Sequence, residues 1–465
     1  MNPYQKIFDT QKNYSLINKN CSPQQRVEKI KKIRKWLISH QQEIRQALYD
    51  DFRKPQVDVD LTEIKAVFLE IDLIIKKLKS WMKPRKISPP LVLFGSKSYI
   101  RYEPKGLVLI ISPWNFPFLL TIAPLASAIA AGNCVILKPS EISSHSSVLL
   151  EKMIAELFNE QEVALLNGDY KVSQDLLKLP FDHIFFTGSS RVGKIVMKAA
   201  AENLTSVTLE LGGQNPAIID ETARISDTAN RLIFGKFLNN GQACVSPNYL
   251  FVHKSMEKAL IDKLKIELEK CFPGDKKSNP DYARIINNQN FQRVKRLIDD
   301  AVSKGAQTET EPVFDENECF VAPVILRNTP LEADLFDEEI FGPVLALRSY
   351  ENLADVIPII QSKPNPLALY IFSQSEKNTT YILDNTCSGT VAINETTLQF
   401  GHPGLPFGGI NSSGSGKSHG FYSFIEFSNQ RSVLKQKNGF TLSQLVMPPF
   451  SNRVKRIAEL TLKYF

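Results

Sequence analysis

Cys244 lies in the run Phe-Leu-Asn-Asn-Gly-Gln-Ala-Cys-Val-Ser-Pro at residues 237–247, about thirty-four residues after Glu210 in Thr-Leu-Glu-Leu-Gly-Gly-Gln-Asn-Pro. A thiol attacks as its thiolate, and a free cysteine with a pKa of about 8.5 is only slightly ionised at neutral pH. A nucleophilic role therefore requires a local device that activates the sulfur. Asn239, Asn240, Gly241 and Gln242 read as a turn leading onto a buried surface, a setting that aims backbone N–H groups at the sulfur and at an oxyanion beside it. The competing assignment is a small buried hydrophobe, the ordinary role of a lone cysteine. Glu210 stands in the apolar run 207–211, followed at once by Gly212 and Gly213, an odd place for a carboxylate in a packed strand. One assignment puts it at a sheet edge facing water. The other desolvates it, raising its pKa until it activates water at neutral pH. Taken alone, neither local pattern decides.

The elements around these residues are those of an α/β protein. Between residues 106 and 209, short apolar runs at 107–111, 134–138, 164–167 and 183–186 alternate with helical stretches, as in a doubly wound parallel sheet. A second alternating region, 212–398, has strands expected at 216–219, 250–252, 324–326, 344–347, 368–372 and 390–393. Residues 22–83 show helical spacing with many charges, read as a solvated face, and 84–104 turns strand-like between prolines. Residues 106–137 carry no charged side chain and exceed the roughly twenty apolar residues that span a bilayer. Pro113, Asn115, Pro117, Pro124, Gly132 and Asn133 interrupt that stretch, which reads instead as strand, loop, helix over 119–131, and strand. The dinucleotide fingerprint GxGxxG follows none of the strands in 106–209. The nearest run is Thr187-Gly188-Ser189-Ser190-Arg191-Val192-Gly193, which opens a helix after the strand at 184–186, and a helix N-terminus with a glycine accepts phosphate.

Together with their flanks, the Glu210 and Cys244 segments closely resemble the active-site signatures of the aldehyde dehydrogenase superfamily. Five further runs stand in that family's order: Pro113-Trp114-Asn115-Phe116-Pro117, Lys138-Pro139-Ser140-Glu141, Phe186-Thr187-Gly188-Ser189, Glu339-Ile340-Phe341-Gly342-Pro343-Val344 and Pro406-Phe407-Gly408-Gly409. The resemblance reaches from the N-terminal helices to about Lys435. The short N-terminus and the run Gly401-His-Pro-Gly-Leu-Pro-Phe-Gly-Gly look most like the class 3 branch, which oxidises medium- and long-chain aliphatic and aromatic aldehydes.

This resemblance implies two doubly wound α/β domains, one a nonstandard Rossmann cofactor domain, with a small β oligomerisation arm. The NAD(P)-binding domain is expected over 1–82 and 105–210, the catalytic domain over 211–415, the arm over 83–104 and 416–440, and a tail over 441–465. It implies that Cys244 attacks the aldehyde, that the Asn115 amide and the Cys244 N–H hold the oxyanion, and that Glu210 deprotonates the water that cleaves the thioester. Lys138 and Glu141 are expected at the adenosine ribose, Gly188, Ser189, Val192 and Gly193 around the pyrophosphate, Glu339 at the nicotinamide ribose, and Trp114 and Phe341 nearby. NAD use is expected and NADP is left open, since Glu141 would repel a 2′-phosphate that Arg191 would attract. A homodimer follows from the class 3 resemblance. Phe116, Leu119 and Leu398 point to an apolar aldehyde.

Composition sets the outer bounds. At 465 residues the chain accommodates two or three domains, and a net charge of +7 from 56 basic and 49 acidic residues argues only weakly for a polyanionic partner, so no nucleic acid is expected. Cys21, Cys134, Cys244, Cys271, Cys319 and Cys387 lie far apart without a CxxC pair, so neither zinc site, other metal site nor disulfide framework is expected. A polar stretch at 1–22 unsuited to export makes a cytoplasmic location the expectation, and the tail at 451–465 is basic and amphipathic. Rival readings are a thiol hydrolase or acyltransferase using Cys244, for which His253 is the nearest histidine, an acyl-reducing enzyme, and a non-catalytic protein on the same fold.

Overall fold

The computed structural model describes residues 2–90 and 93–464. Leu91 and Val92 of the expected arm, and Met1 and Phe465 at the ends of the expected first and last segments, lie outside the described residues.

The uncharged stretch folds as the strand Leu107–Ile111, the helix Pro117–Ala131 and the strand Cys134–Lys138. Every residue of both strands is buried, which is why they lack the polar alternation of a half-exposed strand. The helix is buried over nearly its whole surface and so carries no polar stripe. Pro117 opens it where a missing N–H costs nothing, and Gly132 closes it with φ at 98°. Among the described residues no helix is long and apolar enough to cross a membrane.

These strands centre a sheet ordered Gly414–Ser415, Ser206–Leu211, His183–Gly188, Leu107–Ile111, Cys134–Lys138, Val163–Leu165. All neighbours are parallel except Gly414–Ser415, which runs antiparallel along one edge. Register sets the site. Ile111 is level with both Lys138 and Phe186, and Thr187 is level with Glu210. The carboxyl ends of four strands therefore share one edge, where open α/β sheets bind ligands.

A second sheet is ordered Gln307–Thr308, Val324–Arg327, Val344–Tyr350, Tyr249–His253, Pro216–Ile219, Ala368–Phe372, Thr390–Ile393, and only Gln307–Thr308 is antiparallel. The six strands expected there are present, some longer at their ends. Gln307–Thr308 and the hairpin of Phe314–Asp315 with Phe320–Val321 are additions, since two residues are too few to show an alternation. Arg85–Ile87, Lys97–Pro104 and Ser428–Lys435 form a third, antiparallel and largely exposed sheet.

The charged region 22–83 folds into Pro23–Ser39, Gln41–Phe52, Gln56–Val59, a π-helical turn over Asp60–Lys65, and Ala66–Trp81. Ahead of that region lies a helix not expected from the sequence, Gln5–Asn18, whose buried face joins Phe8 to the polar Gln11, Ser15 and Asn18. Its buried Gln11 and Asn18 amides donate to the carbonyls of Val135, Glu160, Gly132 and Asn133, so apolar periodicity is missing where amides do the packing. The reading of the region's charges as a solvated face is corrected at its most interior residues. Lys54 and Glu63 form a fully buried ion pair at 2.8 Å. The Lys54 ammonium lies 4.1 Å from the Phe116 ring centre, and Glu63 accepts the Leu119 N–H at 3.0 Å. These charges brace the loop that enters the helix Pro117–Ala131 rather than facing water.

Candidate active site

Glu210 is the penultimate residue of the strand Ser206–Leu211, and the strand Gly414–Ser415 covers it from the sheet edge. The side chain is buried rather than facing water. Oε1 accepts the Ser418 hydroxyl at 2.7 Å, and Oε2 is buried without a partner. Burial pushes the carboxyl up to about 8, against smaller downward contributions from Ser418 and the Lys417 ammonium and an upward one from Glu426. Lys417 donates to the Gly408 and Gly409 carbonyls, which pins the Pro406-Phe407-Gly408-Gly409 run over the carboxylate. Gly408 adopts φ 145°, and a Cβ there would lie 2.6 Å from the Gly416 carbonyl oxygen and 3.3 Å from Glu210 Oε1.

The cysteine loop is held by amides. Asn239 and Asn240 both take left-handed backbone angles, which asparagine tolerates better than most residues. Asn239 donates through Nδ2 to the carbonyls of Asn115 (2.9 Å) and Gln242 (3.2 Å), and Asn115 Nδ2 donates to the Gln242 carbonyl at 3.0 Å. Gln242 in turn donates to the carbonyls of Asn239 and Arg284 and accepts the Ile286 N–H. Asn215 donates to the carbonyls of Cys244 and Ser246 and accepts the Ala368 N–H. The half-buried Asp58 carboxylate accepts the Asn239 N–H at 3.1 Å. An Asn side chain has two amide hydrogens, so Asn115 keeps one after bonding Gln242.

Burial, then Glu339, then Glu210 push the Cys244 thiol up to about 12. The backbone N–H groups of Cys244 and Val245 pull it down by less. The amide device expected at the sulfur is therefore present, yet desolvation and two carboxyl groups outweigh it, and in this arrangement the sulfur rests protonated.

Cys244 and Glu210 stand where two cavities meet. One, of about 50 Å³, is walled mainly by apolar side chains, among them Leu119, Leu120, Phe185, Phe400 and Phe407. The other is a wider cleft of about 620 Å³ along the strand ends. Asn115, Trp114, Gly188, Ser189, Glu339 and Phe341 all line this wider cleft beside Cys244 and Glu210, and Arg191 joins them. Ser189 caps the helix Ser190–Ala201 by accepting the Val192 N–H, so Val192 serves the helix start and packs partly into the core. Gly193 faces Leu211, where a Cβ would come within 2.7 Å of a methyl group. Glu339 sits against Gly212, has Oε1 buried without a partner, and accepts the Gly213 N–H, burial pushing its carboxyl up to about 7. Phe341 holds φ 46°, a strained angle for a bulky residue, and meets the Trp114 ring edge-on at 5.4 Å.

Four expected residues do not line the wider cleft: Val192 and Gly193 of the helix Ser190–Ala201, and the pair Lys138 and Glu141. Lys138 and Glu141 lie at the carboxyl end of the strand Cys134–Lys138, bonded to each other at 3.2 Å, and neither lines the wider cleft. The Lys138 ammonium, on a buried side chain, also donates to the Pro139 carbonyl. Leu398 lies exposed in a short 3₁₀ turn and does not line the apolar cavity. His253 bonds Ser255 at the end of its strand and lines neither cavity.

Several residues at the site carry no motif signal. Ser418 and Lys417 follow the Gly408-Gly409 pair by less than a dozen residues, which is their only cue. Arg293, on the helix Asn288–Ser303, donates to the Glu339 and Ile340 carbonyls at 2.8 Å each and so supports the Phe341 loop, with nothing in its own segment to mark it.

A cysteine and a buried carboxyl group at the junction of an apolar and a polar cavity restrict the relatives that would make sense of the chain, and those found match it over nearly its whole length. The sequence profile described as "Aldehyde dehydrogenase family" matches residues 6–433. The 4,4'-diaponeurosporen-aldehyde dehydrogenase of Staphylococcus aureus is 40% identical over 436 residues, 93% of each chain. Aldehyde dehydrogenase family 3 member H1 of Arabidopsis thaliana is 38% identical over 438 residues, 93% of this chain and 89% of that one, in keeping with the class 3 resemblance. A solved structure of Staphylococcus aureus AldH in a substrate-bound state superposes with a TM-score of 0.95 at 38% identity, covering 99% of this chain and 100% of that one. The chain belongs to the aldehyde dehydrogenase family.

Proposed function

We propose that this aldehyde dehydrogenase oxidises an apolar aldehyde, aliphatic of medium or long chain or aromatic, to the carboxylic acid through a thiohemiacetal and then a thioester on Cys244. The observation that carries the reading is the meeting of Cys244 and Glu210 at the junction of the apolar cavity and the polar cleft. The aldehyde enters from the apolar side, the Cys244 thiol gives up its proton to solvent reaching the polar cleft, and the sulfur adds to the carbonyl carbon. The remaining Asn115 amide hydrogen and the Cys244 N–H receive the developing oxyanion, and losing one such donor typically costs about 100- to 1000-fold in rate. Glu210 takes a proton from the water that cleaves the thioester. A carboxyl pushed up to about 8 is suited to that task near neutral pH.

The polar cleft fits NAD(P). Gly188 and Ser189 lead into a helix N-terminus that favours a phosphate, and the unpaired, buried Glu339 Oε1 is an acceptor for a ribose hydroxyl. When bound there, the cofactor supplies the hydride acceptor. A solved NAD-dependent aldehyde dehydrogenase from Sinorhizobium meliloti, 25% identical with a TM-score of 0.85, supports this choice. Lys138 and Glu141 would serve the adenosine end beyond the cleft. In the same reading the sheet containing Glu210 is the cofactor domain, the seven-stranded sheet whose strands flank the cysteine loop in sequence is the catalytic domain, and the exposed third sheet joins a second copy in a cytoplasmic homodimer.

The test follows NAD(P)H formation at 340 nm with hexanal, decanal and benzaldehyde, with NAD and NADP in parallel, beside Cys244→Ala. Reduction that disappears in Cys244→Ala while the fold is kept is the expected result. A folded protein that binds NAD yet reduces none of the pairs would point instead to acyl transfer on Cys244.

A further inference from the structure

Two titratable side chains in the apolar cavity take no part in the chemistry above. Glu70 comes from the helix Ala66–Trp81 and His419 from the turn before the helix Gly420–Glu426. Both line the cavity that reaches Cys244, and both are more than nine-tenths buried. The two segments are tied where Glu70 Oε2 accepts the Gly420 N–H at 2.9 Å. Among the described residues no cation forms an ion pair with Glu70. The His419 ring stands edge-on to Phe400 at 4.6 Å and to Phe407 at 5.0 Å, and its buried Nδ1 has no partner among the described residues. His419 holds φ 76°, and its N–H donates to the Ser423 hydroxyl, which fixes the turn that turns the ring toward the two phenylalanines.

An unpaired nitrogen such as His419 Nδ1 costs free energy in such surroundings, and a plain hydrocarbon in the cavity offers neither it nor the Glu70 carboxyl a partner. Burial pushes Glu70 up to about 7 and His419 down to about 4, so the imidazole is neutral in ordinary buffer, with one donor and one acceptor nitrogen. A hydroxyl group is the small ligand that both donates and accepts. We infer that Glu70 and His419 recognise a hydroxyl group carried by an otherwise apolar aldehyde at a position away from its carbonyl, an inference that rests on the aldehyde-oxidising reading above. Sites built to hydrogen-bond a hydroxyl discriminate strongly against analogues lacking it, whereas a purely apolar wall does not.

The experiment compares kcat/KM within matched pairs: hexanal with 6-hydroxyhexanal, and benzaldehyde with 3- and 4-hydroxybenzaldehyde. It uses the full chain with its nicotinamide cofactor. The wild type is expected to favour at least one hydroxylated member by about 10-fold or more. Glu70→Leu is expected to invert that preference, raising kcat/KM for the plain aldehyde and lowering it for the hydroxylated one. Glu70→Gln, which still accepts the Gly420 N–H, keeps part of the preference. The crossover separates recognition from damage to the fold, which lowers both members together. Ratios within about twofold of unity in every wild-type pair, or a proportional loss of both members in Glu70→Leu, overturn the inference while leaving aldehyde oxidation intact. Absence of Cys244-dependent turnover of every aldehyde overturns the oxidation reading, and this one with it.

Discussion

Replacing Ser418 by Ala removes the hydroxyl that donates to Glu210 Oε1 at 2.7 Å. Oε2 already lacks a partner, so the variant carboxylate loses its direct hydrogen-bond donor while the Lys417 charge nearby persists. A hydrogen bond to a charged group is worth about 1.5–3 kcal/mol, and one pKa unit is about 1.4 kcal/mol, so the carboxyl should rise by about one to two units from its value of about 8. The ionised fraction at pH 7.5 then falls by about tenfold to about a hundredfold. Thioester hydrolysis should slow by that factor, since the base must be ionised to accept a proton. Stopped-flow absorbance at 340 nm distinguishes the steps. A rapid burst of NAD(P)H per active site should persist or emerge, followed by a slow steady state that recovers as pH is raised, with an inflection shifted upward from about 8. A steady-state pH profile with an unmoved inflection would refute the claim that Ser418 tunes the base. Loss of the burst with that profile unmoved would instead place Ser418 at the sulfur step.

Glu339→Gln removes the carboxylate that contributes most, after burial, to the raised Cys244 thiol, so iodoacetamide should alkylate Cys244 faster and with a lower pH midpoint; an unchanged midpoint would deny the coupling. Lys54→Met leaves Glu63 buried and charged without its cation, with an expected cost of about 3–5 kcal/mol in urea unfolding at pH 8. That cost should shrink as pH falls, because the Glu63 carboxyl, already pushed upward by burial, then takes up a proton; adding Glu63→Gln should recover most of the loss at pH 8. In Gly241→Ala, the φ of 74° and a Cβ 2.3 Å from the Gly342 carbonyl oxygen should destabilise the fold by at least about 1–2 kcal/mol, read by the same unfolding assay.

Cys244, Glu210, Asn115, Trp114, Glu339 and Phe341 were legible through the ordered resemblance of their runs to the aldehyde dehydrogenase signatures, since the local pattern of none of them decides alone, and the fold gathers all six on one cleft. Strands were legible where burial made them uniformly apolar, as in Leu107–Ile111. The partners that set the electrostatics were not. Ser418 reaches Glu210 across 208 residues of chain, and Glu70 meets Gly420 across 350, separations that no local window encodes. Helix Gln5–Asn18 escaped for a related reason, since the inward positions after Phe8 are the polar Gln11, Ser15 and Asn18, two of them amides that satisfy carbonyls, which breaks the apolar repeat. Charge misled as well: Lys54 and Glu63 look like two more surface residues until the Phe116 loop is seen packed on them.

The mesh of Asn115, Asn239, Gln242 and Asn215 around the cysteine loop is made almost wholly of neutral amides and backbone groups, with Asp58 its one acid. Carboxamides do not titrate, and hydrogen bonds between neutral dipoles inside a protein are little affected by dissolved salt. Apart from Asp58, whose carboxyl burial pushes upward, the scaffold around Cys244 is thus nearly indifferent to acidity and ionic strength. Under the function proposed above, changes in rate across a mildly acidic to mildly alkaline series therefore report on Cys244, Glu210, Glu339 and Asp58 rather than on the amide framework, which leaves few groups to assign in a kinetic titration.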